Sequence, residues 1–291
     1  MRKLNPFLFF SLLPAFAFIL FFGIYPFLYA CFYSTRQYYL GLNVPEIFTG
    51  MSNYYNSAHD PLFLYSLGLT CLFVVCAVGV ELLLGLGVAI LFSVIKTKGY
   101  NYLQVLLSFP LMMPPVVTGF LFWLIFNTDL GIANHYLSLI GLIPRNYNIL
   151  ANFWSAFSAI VLGDVWMWTP FFIIVLYSAI QSLPLEMIES ATVDGCLSKH
   201  LVKYIIIPKI KPAILVTLLI RVIDAFRTYD LVYVLTGGGP GTSTQVLSLE
   251  IYFQGFRYWF MGKAFAQALI LTAILILIGN ILIYLIRRGA E

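Results

Sequence analysis

The sequence predicts an all-α, polytopic membrane protein with six transmembrane helices in a single domain, residues 1–291. Three observations predict it. Of the 291 residues, 61% are hydrophobic and only 10% charged, against about 25% charged in soluble domains. The mean hydropathy is +0.93. Apolar stretches long enough to cross a bilayer, roughly 20 residues each, recur along the chain, separated by connectors rich in polar and turn residues. The spans are expected at about 7–33, 62–95, 103–126, 153–181, 212–235 and 263–286, and a polar loop, 182–211, separates the fourth from the fifth.

Arg2 and Lys3 precede the first apolar run, Phe7 to Tyr33. That run exceeds a signal-peptide core of about 7–15 residues, and no small-residue cleavage site follows it. It is expected to be a retained membrane helix. The second span carries Gly79, Gly85 and Gly87, which would let helices approach closely, and Glu81, which reads as an interhelical anchor. The third contains Pro110, Pro114 and Pro115, which remove backbone donors and bend or break a helix. The fourth carries Asp164, Trp166 and Trp168. Two residues apart on a helix, the tryptophans point in different directions, so one is expected to face a path and the other a neighbouring helix. Asp164 is expected either to pair with Arg227 or to sit in the outer headgroup region. Asn280 in the sixth span is read as a helix–helix contact.

The fifth span holds Arg221, Asp224, Arg227 and Asp230. A charge at a helix centre costs about 2.5–3.5 kcal/mol on insertion scales. The signs alternate at a spacing of three, so on a continuous helix each residue can pair with the next. Three residues turn the helix about 300°, so the ladder winds around it, from a helix–helix interface onto the face of a water-filled path. The alternative is a ladder that only locks helices together.

Positive charge fixes the expected orientation. With the N-terminus inside, Arg2, Lys3, Lys96, Lys98, Lys199, Lys203, Lys209, Lys211, Arg287 and Arg288 fall on the cytoplasmic side. Arg36, Arg145, Arg257 and Lys263 fall outside. Ten against four places both termini in the cytoplasm. The net charge of +4 is accounted for by this bias and not by nucleic-acid binding. Tyrosines and tryptophans near the span ends read as interface anchors to membrane lipid. Cys31, Cys71, Cys76 and Cys196 have no zinc or redox spacing and read as small apolar fillers.

The polar loop reads QSLPLEMIESATVDGCLSKHLVKYIIIP from Gln181 to Pro208. Pro184 suits the start of a helix, Glu186 and Glu189 suit its positive end, and Gly195 suits its stop. Glu189-Ser190-Ala191, three residues, Gly195, nine residues, then Ile205, Ile207 and Pro208 resemble the cytoplasmic signature of membrane subunits in binding-protein-dependent ABC importers. Ser190 stands for the family's first alanine and Ile207 for its leucine. Phe109–Val117, Asn127–Leu142, the stretch Trp166, Trp168, Thr169, Pro170 and Phe171, and Leu235-Thr236-Gly237-Gly238-Gly239-Pro240 resemble further parts of the sugar-type branch, similar to the maltose and glycerol-3-phosphate permeases. The resemblance covers roughly residues 5–288.

That resemblance implies a permease subunit that moves a sugar, oligosaccharide or polyol across a bacterial cytoplasmic membrane by alternating access. It implies two nucleotide-binding ATPase subunits, a second homologous permease and an extracytoplasmic solute-binding protein as partners. Contact with the ATPase is assigned to Glu186, Glu189, Ser190, Ala191, Asp194 and Gly195. Asp230 is assigned to scaffold. The substrate path is assigned to Asp224, Arg227, Thr228, Trp166 and Asp164, since charged groups suit sugar hydroxyls.

No catalytic residues are assigned, and His59, His135 and His200 have no metal-like spacing. The glycine loop lacks the lysine of a phosphate-binding loop, so this chain is expected to hold no cofactor, ATP and magnesium residing on the partner. Two alternatives remain: an ion-coupled secondary transporter using the Arg221–Asp230 ladder, and a membrane-embedded enzyme, for which no nucleophile or metal set stands out.

Overall fold

The computed structural model describes residues 6–41, 44–95, 100–144, 146–193, 196 and 198–290. They are overwhelmingly helical, with one two-stranded ribbon. Four helical segments are long and apolar enough to cross a membrane: Ser11–Ser34, Pro61–Ser93, Phe153–Gln181 and Met261–Arg288. These match the first, second, fourth and sixth expected spans.

The other two expected spans are not straight helices. Gln104–Met112 and Pro115–Phe126 meet at 97°. Pro110, Pro114 and Pro115 cannot donate backbone hydrogen bonds and clash with the preceding turn, so the third span breaks where they cluster. The fifth, expected over 212–235, is two helices, α11 (Ile207–Ala225) and α12 (Asp230–Leu235), separated by Phe226–Tyr229. The charge ladder therefore does not lie on one helix.

The chain separates into two compact units. The first comprises Met1–Leu64 and Glu250–Ile274. Its helices α1 (Pro6–Ile19) and α2 (Tyr25–Ser34) are joined by a π-helical turn, Leu20–Ile24. The described side chains of the Ser11–Ser34 span are largely exposed apolar groups. Strands β1 (Arg36–Gln37) and β2 (Ile47–Phe48) pair antiparallel, Arg36 opposite Phe48. Helix α3 (Ser52–Ala58) follows, and the Asn53 side chain donates to the carbonyls of Ser34 and Arg36, both at 2.8 Å. Gly262, at the start of α14 (Met261–Ala290), donates its N–H to Tyr38. A Cβ there would overlap the Arg36 carbonyl, so glycine permits this close approach.

The second unit comprises Tyr65–Leu249 and Leu275–Glu291. It contains most of α4 (Pro61–Ile95), then α5 (Tyr100–Ser108), α6 (Pro115–Phe126), α7 (Ile132–Leu139), α8 (Phe153–Gln181), α9 (Leu185–Val193) and α10 (Ser198–Leu201). Helices α11 and α12 follow, with the first half of α13 (Leu247–Tyr252). Its most extensive helix pair is α6 with α12. At Gly119 a Cβ would come within 3.1 Å of the Leu231 carbonyl and of Val234, so the missing side chain sets that spacing. Of the three second-span glycines, Gly85 faces another backbone, at Phe172 of α8, while Gly79 and Gly87 face open space in this chain. Asn280, read as a helix–helix contact, is exposed.

Candidate functional site: a buried guanidinium beside a broken helix

Arg221 is fully buried in the last turns of α11. Its Nε donates to Glu81 Oε2 at 2.8 Å and its Nη2 to Glu81 Oε1 at 3.0 Å, a two-pronged pair. Nη2 also donates to Asp164 Oδ2, and Nη1 to Asp224 Oδ2 at 3.0 Å. The guanidinium carbon lies 4.7 Å from the centre of the Trp168 ring. One planar cation thus ties α4, α8 and α11 together. The fork geometry of arginine suits this task, and such pairing is what keeps ionised groups tolerable at membrane depth.

Several sequence expectations change here. Asp164 pairs with Arg221, not with Arg227. It is buried. Glu81 anchors α4 to α11, as its setting suggested. Within the ladder, Arg221 and Asp224 pair at i, i+3. Among the described residues, neither Asp224 nor Asp230 forms an ion pair with Arg227. The helix ends at Ala225, so the three-residue register that would align them is lost.

A cavity of about 100 Å³ opens at the break. Asp164, Trp168, Asp224, Arg227, Thr228, Tyr229 and Asp230 supply its polar and aromatic lining. Four of the five residues assigned to the substrate path, Asp164, Asp224, Arg227 and Thr228, therefore come together. The fifth, Trp166, does not line the cavity. Its ring packs 5.8 Å from that of Phe122 on α6, and Trp168, its neighbour at two residues' spacing, takes the cavity side. Asp230, expected to be scaffold, is exposed at the first turn of α12 and lines the cavity.

The break itself is pinned. The Ser248 hydroxyl donates to the Phe226 carbonyl at 3.0 Å, and the N–H groups of Arg227 and Thr228 close turns on Asp224 and Ala225. Freed backbone groups at membrane depth need such partners. Trp168 stood out beside Trp166 as one of two candidates to face the path, whereas Ser248 did not stand out by residue type. Only the polar run in an apolar span hinted at the break.

The second candidate surface is α9. It starts just after Pro184 and carries Glu186 in its first turn. Glu186, Glu189 and Ser190 are exposed, as are Leu185 and Val193, while Ala191 is buried. Positions 185, 186, 189, 190 and 193 share one helix face, which therefore mixes acidic and apolar groups and is uncovered. The N–H of Cys196 closes the helix end on the Ala191 carbonyl at 3.0 Å. Asp194 and Gly195 lie outside the described residues.

Residues 81–291 match the family described as binding-protein-dependent transport system inner membrane component. The chain belongs to that family. This permease is 34% identical over 244 residues to the trehalose/maltose transport system permease protein MalF of Thermococcus litoralis, covering 83% of this chain and 80% of that protein. It is 29% identical over 230 residues to the sn-glycerol-3-phosphate transport system permease protein UgpA of Yersinia enterocolitica, covering 79% and 77%. Its fold matches a chain of a bacterial alginate ABC transporter solved with a pentasaccharide-bound periplasmic protein, with a TM-score of 0.81 at 24% identity over 97% of this permease and 94% of that chain. As a member of an inner-membrane family with this fold, the permease is a transport component.

Proposed function

We propose that this permease moves a sugar, oligosaccharide or polyol by alternating access, driven by two ATPase subunits that hold the ATP and magnesium. A second homologous permease completes the path, and an extracytoplasmic solute-binding protein delivers the solute. The cavity at the α11–α12 break carries the substrate reading. Discontinuous helices near the bilayer midplane are where transporters place their sites, and this one presents carboxylates, a guanidinium, a hydroxyl and an indole. Those groups suit hydroxyl recognition and stacking. Named sugar permeases among the relatives support the same class.

Coupling is assigned to α9, whose uncovered acidic and apolar face suits a groove on the ATPase. Closure of the ATPase dimer would carry α9 along and reset the spans. The excess of lysine and arginine supports a cytoplasmic position for α9 and both termini.

The test is ATPase activity of the purified assembly in lipid, with the binding protein and a panel of sugars and polyols. Stimulation by one solute, lost in Glu189→Lys, is the expected result. If no ATPase co-purifies and uptake follows an imposed ion gradient, the secondary-transporter alternative replaces this reading.

A further inference from the structure

The charges around the cavity do not balance. Three carboxylates, Asp164, Asp224 and Asp230, line it against one guanidinium, that of Arg227. Arg221, fully buried, pairs with Asp164 and Asp224, two of these three, and with Glu81. With Glu81 and Arg221 included, four carboxylates face two guanidiniums.

Asp164 is 1% exposed and is held by Arg221 and by the Glu81 carboxyl. Arg227, by contrast, is exposed and, among the described residues, forms no ion pair. The cavity therefore offers carboxylate acceptors at Asp224 and Asp230 and one exposed cationic donor.

Resting on the substrate-path reading above, we propose that this cavity selects a solute that donates hydrogen bonds and carries no negative charge, an uncharged sugar or polyol, and rejects acidic sugars and sugar phosphates. Solute hydroxyls donate to Asp224 and Asp230 while Arg227 donates to a ring or hydroxyl oxygen. An anionic group would face four carboxylates for two guanidiniums, the kind of repulsion that sets specificity. The relatives include transporters named for a neutral disaccharide and for an anionic phosphate, so the distinction separates solutes within the family.

The solute-binding protein also filters solutes, so the test must read the cavity directly. The four native cysteines are replaced and Thr228→Cys is introduced into the assembled transporter in lipid nanodiscs. Labelling rates are then measured with cationic, anionic and uncharged methanethiosulfonate reagents, each normalised to its rate with a free thiol. The cationic reagent should outpace the anionic one on the order of tenfold, the low end of what a focused field does to local ion concentration. Asp224→Asn and Asp230→Asn should each shrink that ratio. Without the binding protein, maltose and trehalose should slow labelling by the uncharged reagent, whereas glycerol 3-phosphate and a glucuronide should not. A ratio at or below one, or equal protection by the anionic solutes, overturns the proposal and leaves the substrate path standing. Failure of even the uncharged reagent to label Thr228→Cys removes the path itself, and the proposal with it.

Discussion

Arg221→Met removes the cation that joins three helices and leaves its partners in place. Of the three carboxylates, Asp224 is about half exposed in its side chain. Losing that pair costs little, within the 0–1 kcal/mol typical of exposed pairs. Glu81 and Asp164 are 0% and 1% exposed, so the cost is dominated by stranding them. Breaking a buried pair by removing one partner costs about 3–5 kcal/mol. At about 1.4 kcal/mol per factor of ten, that lowers the folded-to-unfolded ratio roughly a hundredfold to several thousandfold. The assay is equilibrium unfolding of the purified permease in mild detergent, read by tryptophan fluorescence, beside Asp224→Ala as the mild control. A triple variant, Arg221→Met with Glu81→Leu and Asp164→Leu, should recover most of the loss, since replacing a whole buried ion cluster by apolar groups is often neutral. Arg221→Met within about 1 kcal/mol of the parent, or a triple variant no better than the single one, would refute the reasoning that an uncompensated buried charge sets the cost.

Three further outcomes are expected. Gly85→Val drives a side chain into Phe172 of α8 and should destabilise by about 1–3 kcal/mol, read as a lowered melting temperature, while the same change at Gly79, which faces open space, should be far milder in detergent. Asp60 sits ahead of α4, where burial pushes its carboxyl pKa up, but the Lys263 ammonium at 2.6 Å and the N–H groups of Leu62 and Phe63 outweigh this and hold it below its usual value. A depressed carboxylate stabilises the fold above its unfolded pKa and loses that as pH falls through the folded one, so the melting-temperature advantage over Asp60→Asn should be full at neutral pH and fade below about pH 4. Arg227→Ala should change solute selection, read as solute-stimulated ATPase, with no measurable loss of assembly, because Arg227 is exposed and ties no helices together.

The apolar runs made most of the fold legible, since length and hydropathy are local properties. The bend in the third span was legible too, because prolines mark it. The break at Phe226–Tyr229 was not, since Ala225-Phe226-Arg227-Thr228 contains neither glycine nor proline, and its pin, Ser248, lies 22 residues on. Reading Arg221, Asp224, Arg227 and Asp230 as neighbours assumed an unbroken helix and held for the first pair alone. The partners that matter most to Arg221 are 140 and 57 residues away, and no periodicity points to them. Residue type still carried information: every ionisable group in the middle of a span turned out to belong to one cluster or its cavity.

The break also has a mechanical consequence. Helix α11 continues from the segment that carries α9 and packs on α8, whereas α12 packs chiefly on α6. A push arriving along α11 is therefore not rigidly transmitted to α12. Helix α12 is seated in the groove that Gly119 leaves open, so any movement of α11 against it would fall on the joint. Because the cavity is walled by the joint itself, any rotation there alters the cavity's shape in the same stroke. Transmission and solute grip would then be one degree of freedom, so that a variant which stiffens Phe226–Tyr229 should alter both together and neither alone.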